Sequence, residues 1–364
     1  MRVAYYSPLP PSRSGIADYS ALLLPALSER AEVVLGRPGR FRREPKADVC
    51  LYHVGNDPHA HGWIVDALRR RPGVVVLHEF VLHHLVSGLT LARGYVDGYL
   101  AALERDAGLV GRLLGYAVAD ARIDPLWETR PQDFPLAAEV LDLAAGLVVH
   151  SRYVEERARE AGYEGPIWLI PMAAWPVADV EPAAVEGSPL IGCFGHINES
   201  KRLPQLALAF ERLRRRIPDA RLLLVGAVSP RLGELKLPDG VVREEYVAEE
   251  RLWALMAACD ACVSLRAPTM GETSAVAIRA LSLGKPLVVS DVGWFRELPD
   301  DVAIKVPVGE GEIEALEAAL ERAAASPEMG SAALRLAETE HDLGRVADAY
   351  AAALAESIEP ARAA

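Results

Sequence analysis

Twelve short apolar runs, separated by stretches of helical pattern, constrain the fold of this chain more than any other feature. The first half carries RVAYYS, EVVLG, VCLYHVG, GVVVLHE, GLVVHS and IWLIP; the second carries LIGCFG, RLLLVGA, VVREEYV, ACVSLR, PLVVSD and VAIKVP. A strand that is apolar along its whole length must be buried on both faces, which a parallel sheet between two helical layers provides. Two sets of six such runs, each alternating with helices, predict an α/β chain of two doubly wound domains. Its 364 residues suffice for two cores of that size. Between the sets, WPVADVEPAAVEGSP is rich in Pro and Ala and weakly periodic, which reads as a linker. The expected division is an N-terminal domain over 1–174, a linker over 175–189, a C-terminal domain over 190–335 and terminal helices over 336–364. GEIEALEAALERAAAS reads as one helix, and Ser331 to Ile358 as one or two more. That tail could cap its own domain or brace the first.

Bulk properties remove several function classes. Hydrophobic residues make up 51% and charged residues 25%, the balance of a soluble globular protein. A net charge of −12 argues against nucleic-acid binding, whose affinity comes from phosphate neutralisation. Arg69-Arg70-Arg71 and Arg214-Arg215-Arg216 read as solvated helix faces or turns. No run is apolar for long enough to span a bilayer, and MRVAYYSPLPPS reads as a first strand and loop. The expected compartment is therefore the cytoplasm, with at most peripheral contact at the inner face of the membrane. Cys259 and Cys262 form a CxxC pair with no second pair, so both read as core thiols.

Ligands of open parallel sheets sit at the carboxyl ends of the strands, and with two such domains the cleft they share is the default site. After the first strand, Ser14-Gly15 opens a helix where the backbone can come close to a ligand. The third strand leads into His53, Asn56, Asp57, His59 and His61, and the fourth ends at His78. Six of the nine histidines fall between His53 and His84, which raises a metal site. The HExxH spacing fails, however: His78-Glu79 is followed by His83, and His78 ends a strand. No metal is expected. In the second half, Gly195 permits a turn after a strand, and Lys201-Arg202 stand at the next helix start, where cation and helix dipole both attract an anion. The stretch APTMGETSAVAIRALSLGKPLVVSD admits two readings. Thr273 or Ser274 can cap a core helix, or its open amides can hold a phosphate. With Arg266, after VSLR, these loops read as a diphosphate cradle.

Taken together, SGIADYS, YHVGND, VVVLHE, VVHSRYV, GHINESKR and PTMGETSAVAIRALSLGKPLVVSDVGWFRELPDD resemble, in order, the family 4 glycosyltransferases of the GT-B fold. The resemblance implies two Rossmann-like domains facing a cleft, nucleotide sugar on the C-terminal one, acceptor on the N-terminal one, and a terminal helix crossing back. It implies transfer of a sugar, of hexosyltransferase type, from a UDP- or GDP-linked donor to a saccharide or lipid-linked saccharide hydroxyl, with retention and without metal, as in polysaccharide biosynthesis. Lys201 matches the family's diphosphate Lys; His196 stands where the family has Arg, so Arg266 or Arg202 is the expected substitute. His78 matches a His near the reacting sugar. The family's two Glu residues, separated by seven others, fall on Gly271 and Arg279, so Glu272 is expected to serve as the first through a shifted turn. Arg279 cannot accept hydrogen bonds from a ribose as Glu does. The expected roles are catalytic for His78, Glu272 and Lys201. Gly15, His196, Lys201, Arg202, Arg266, Gly271, Glu272, Thr273 and Ser274 are expected to bind the donor, and His53, Asn56 and Asp57 to face the acceptor. The competing readings are a nonhydrolysing sugar-nucleotide epimerase and a catalytically silent partner subunit that binds nucleotide sugar.

Overall fold

The computed structural model describes residues 1–12, 14–39, 45–177, 179–233 and 236–358; the end of the expected terminal segment, 359–364, lies outside them. All twelve apolar runs form strands. The first six are β1 (Arg2–Tyr6), β2 (Glu32–Leu35), β3 (Val49–Val54), β4 (Gly73–Leu77), β5 (Ala144–Val149) and β6 (Ile167–Leu169). They build one sheet in the order β2-β1-β3-β4-β5-β6, with every pairing parallel. The second six are β7 (Leu190–Phe194), β8 (Arg221–Val225), β9 (Val241–Glu244), β10 (Ala261–Ser264), β11 (Leu287–Ser290) and β12 (Ala303–Val306). Their sheet, also parallel, runs β12-β11-β10-β7-β8-β9.

Burial follows position in the sheet. Central β3, β4 and β7 are buried at every residue, whereas edge strands β2, β6 and β9 are half-exposed; the fourth edge, β12, is largely covered. Strand order reverses between β1 and β3 in the first sheet and between β7 and β10 in the second. At such a reversal adjacent loops leave in opposite directions and open a crevice beyond the strand ends.

The chain divides into two compact units. One comprises Met1–Pro171, Met270–Thr273 and Leu343–Ala364; the other comprises Met172–Thr269 and Ser274–Asp342. Three helices follow β12: Glu312–Ala324, Pro327–Thr339 and Leu343–Ile358. The last belongs to the first unit, where the Arg30 guanidinium donates to Asp348 at 2.5 Å and to the Gly344 carbonyl at 3.1 Å. All four cysteines are free and buried, and burial pushes the Cys259 thiol up to about 12, the state of an inert core thiol.

A buried histidine ties the helices of the first unit together. His83, at the start of the helix His83–Leu89, donates through Nδ1 to the Phe134 carbonyl at 2.7 Å and accepts at Nε2 from the Tyr99 hydroxyl at 2.9 Å. Acceptance at Nε2 requires the neutral ring, and burial lowers its pKa to about 4. The unfolded chain then takes up the proton first, near pH 6.5, so the contribution is intact above that pH and is lost as pH falls towards 4. Unfolding free energy should decline by about 1.4 kcal/mol per pH unit for this group in that window. In urea titrations His83→Gln should give a shallower decline; an unchanged slope would refute the assignment.

Candidate functional site

In the second unit, the carboxyl ends of β7 and β10 gather the polar residues. Gly195 follows β7 at φ +90°, and a Cβ there would lie 3.1 Å from Val276 and 3.8 Å from the Lys201 ammonium. The turn therefore runs close against both Lys201 and the first turn of the helix Ala275–Ser282. Lys201 is buried and its Nζ donates to the Phe194 carbonyl at 3.0 Å, which aims the ammonium at the strand end. Arg266 follows β10; its backbone N–H donates to Ser290 Oγ and its guanidinium reaches Ser200 Oγ at 3.4 Å. Both cations act on the Cys193 thiol, though burial dominates there and raises it. Ser274, not Thr273, is the cap: its Oγ accepts from the Ala277 N–H at 3.3 Å. Thr273 Oγ1 is buried and has no hydrogen-bond partner among the described residues. Two cations and a helix start are thus gathered at the strand ends of the second unit. Such a set suits an anion.

One expected donor residue, Arg202, takes another role. Arg202, at φ +55°, forms a two-pronged ion pair with Glu312, in which Nε lies 2.9 Å from Oε1 and Nη2 contacts Oε2. Burial by itself would raise the Glu312 carboxyl, but Arg202 and the Gly309 N–H hold it below the ordinary carboxylate range. Arg202 is therefore a structural partner and is removed from the cradle. His196 is exposed. Arg279 is buried and lies with its guanidinium carbon 3.9 Å from the Trp175 ring centroid and 5.7 Å from that of Trp253, with Glu249 at 3.6 Å. It packs in an aromatic bracket within the second unit.

In the first unit the strand ends carry a row of rings. His53 lies near the end of β3, His78 follows β4 and His150 follows β5, and these three strands are neighbours in the sheet. Parallel strands lie about 4.8 Å apart. The ring centroids step from Tyr5 to His53 by 4.7 Å, to His78 by 5.2 Å and to His150 by 5.1 Å, one ring per strand. Tyr19 meets His78 and His150 edge-on, Tyr350 stacks on His53, and the two tyrosine hydroxyls bond at 3.3 Å. His53 Nδ1 and His78 Nε2 are 2.9 Å apart. Burial, reinforced by His150, holds both rings well below the usual histidine range, so both are neutral. The expectation that His53 faces an acceptor is corrected: it is wholly buried and faces His78. The row went unseen in the sequence because His150 ends its strand as His78 does, yet lies far from it in the chain. Among the described residues, no three His, Cys, Asp or Glu side chains converge as metal ligands.

The other N-terminal candidates mostly organise backbone. Asn56 Oδ1 accepts from the Leu85 N–H at 3.1 Å, and Asp57 caps the helix Pro58–Arg70 by accepting from the His59 N–H at 2.8 Å. One oxygen of each is thus bound to a helix start. Ser14 caps the helix Gly15–Ser28, and a Cβ at Gly15 would meet no atom within 4 Å. The segment Met270–Thr273 is pinned to the loop after β4: the Phe80 and Val81 N–H groups both donate to the Met270 carbonyl, at 2.8 and 3.0 Å. The turn is closed by Glu272, whose Oε2 accepts from the Met270 N–H at 2.7 Å.

Gly271 has φ +86°, and a Cβ there would lie 2.9 Å from Phe80 Cβ. Left-handed strain and the clash together should make Gly271→Ala cost about 1–3 kcal/mol by thermal unfolding. Wild-type stability would mean that the turn can be rebuilt without glycine. Arg202→Ala leaves Glu312 buried and uncompensated, with an expected loss of about 3–5 kcal/mol that the double variant with Glu312→Gln should partly restore. No restoration would show that Arg202 acts elsewhere.

No curated protein sequence matches the chain. Residues 188–326, which include Lys201, Arg266 and Ser274, match the family model Glycosyl transferases group 1. Among solved structures, sucrose-phosphate synthase from Thermosynechococcus elongatus is similar at a TM-score of 0.62 and 17% identity, over 98% of both chains. Anabaena Alr3699/HepE in complex with UDP-glucose is similar at 0.61 and 16%, over 98% of this chain and 100% of that one. AviGT4, a glycosyltransferase involved in Avilamycin A biosynthesis, is similar at 0.53 and 17%, over 98% of both. At these identities the likeness is one of fold: two Rossmann-like units of the kind found in GT-B glycosyltransferases.

Proposed function

We propose that this chain is a retaining, metal-independent glycosyltransferase that moves a hexosyl group from a nucleoside diphosphate to a hydroxyl of a saccharide acceptor. The observation that carries the proposal is the close approach of the Gly195 turn to the Lys201 ammonium and to the first turn of the helix Ala275–Ser282. Arg266 lies one hydrogen bond away through Ser200. The match of this segment to a glycosyltransferase family model supports the same reading. UDP is the proposed carrier, because HepE was solved with UDP-glucose.

In the proposed reaction the bond between the anomeric carbon and the β-phosphate oxygen breaks, and its electron pair stays on the phosphate. The acceptor oxygen bonds to the same face of that carbon and passes its proton to the leaving phosphate. Charge therefore grows on the diphosphate during transfer, and preorganised cations stabilise it most when water is excluded. Lys201 and Arg266 supply two such charges, and the amides at the start of the helix capped by Ser274 supply a partial one. Thr273 Oγ1 is a further donor for a phosphate oxygen. Glu272 is assigned to the hydroxyls of the transferred sugar, and His78 to the region of the reacting bond.

Release of UDP from UDP-glucose, with and without added saccharide, tests this reading. Lys201→Ala should cut turnover by about tenfold or more. A chelator should leave the wild-type rate unchanged. Wild-type rates in Lys201→Ala would refute the cradle, and conversion of the sugar without release of UDP would make the chain an epimerase.

A further inference from the structure

Resting on the proposed assignment of His78 to the transferred sugar, the hydrogen-bond pattern of the histidine row leads further. We propose that His53 is a positioning residue that locks His78 in its neutral Nδ1–H form, so that His78 serves as an uncharged hydrogen-bond donor and not as a proton shuttle.

The argument is one of counting protons. A neutral imidazole carries one N–H and one lone pair. A carbonyl only accepts, so His61 Nδ1, 3.0 Å from the His53 carbonyl, and His150 Nδ1, 2.8 Å from the Ile170 carbonyl, must both bear protons. Their Nε2 atoms are then lone pairs. The His53 Nδ1 to His78 Nε2 contact of 2.9 Å holds a single proton, which belongs to one ring or the other. His53 Nε2 and His78 Nδ1 are both buried without a hydrogen-bond partner among the described residues.

Two arrangements are open. If His78 donates, His53 must carry its proton on Nε2, inside a residue with no exposed surface, between the rings of Tyr5 and Tyr350. That strands a donor where no solvent or ligand oxygen can reach it, which native interiors avoid. If His53 donates, the stranded group on His53 is a lone pair, and the spare N–H sits on His78 Nδ1. His78 is the member of the pair that follows its strand at the carboxyl end of the sheet, and it retains 5% exposure. His78 Nδ1 is itself buried, but the second arrangement leaves the unsatisfied donor on the ring nearer the strand end and solvent, where a small ring rotation brings it to a sugar or phosphate oxygen. The remaining groups facing the pair are His61, His150, Tyr5, Tyr19 and Tyr350, none of them a carboxylate that would favour a charged ring.

Long-range proton–nitrogen spectra of protein labelled with ¹⁵N-histidine read the tautomer directly, with His78 assigned through His78→Gln. From about pH 8 to about pH 6, His78 should show a protonated Nδ1 and a bare Nε2. His53→Asn, whose amide N–H can replace Nδ1–H, should preserve that signature. His53→Phe should lose it, with the remaining histidine signals reporting whether the fold is kept. A protonated Nε2 on His78 in the wild type, or an unchanged His78 in a folded His53→Phe, overturns the proposal. Turnover of UDP-glucose separates the two levels. With the tautomer lock in place, His53→Phe should lower kcat by about tenfold and His53→Asn restore most of it. A protein that shows the lock but releases no UDP from UDP-glucose contradicts the transferase reading alone.

Discussion

A strand buried on both faces has no room for polar groups along its length, so chemistry is displaced to its carboxyl end. Parallel pairing then sets those ends side by side at the spacing of the sheet. In the first unit this produces Tyr5, His53, His78 and His150 as a row of rings about 5 Å apart, one from each of four neighbouring strands. No long-range recognition between the histidines is needed beyond strand register. Burial keeps His53 and His78 neutral, and neutrality lets those two share a proton without repelling one another.

The same constraint acts in the second unit with different residues. Beyond β7 the chain must turn at once, and Gly195 allows it to pass tightly beside Lys201 and the helix that follows Ser274. A lysine buried at a strand end costs free energy unless its charge has partners. The Phe194 carbonyl accepts from the Lys201 ammonium at 3.0 Å, and on the proposed reading a phosphate oxygen is a further partner of the same charge. Arg202 illustrates the opposite outcome. Its charge is matched within the unit by Glu312, so nothing in its surroundings calls for a ligand. The difference between neighbours Lys201 and Arg202 is that one turns to the end of β7 and the other to Glu312, and only the folded chain reveals it.

Much of the fold was legible because it rests on local pattern. Each apolar run became a strand, and the Gly284–Pro286 stop and the cap before Ala275 fell as the helix signals indicated. What stayed hidden depends on contacts between distant parts of the chain. His53 looked like a ligand residue because it precedes a polar loop, yet it still lies within β3, which is covered on both faces. Asn56 and Asp57 looked like acceptor contacts, yet short polar side chains after a strand also serve the next helix start, and here they do. Arg279 looked like a lost acidic residue; its pairing with Trp175 across the linker had no sequence signal. Glu312 was likewise visible only as the first residue of a helix.

The central claim is that the second unit is built to hold the two phosphates of a nucleoside diphosphate with its own cations and amides. The most direct measurement is calorimetric titration with UDP, GDP and the matching monophosphates, in chelator. The account predicts that for the accepted base the diphosphate binds at least about tenfold more tightly than the monophosphate, a difference of about 1.4 kcal/mol. Equal affinity for the two, or no binding without a divalent cation, would contradict it.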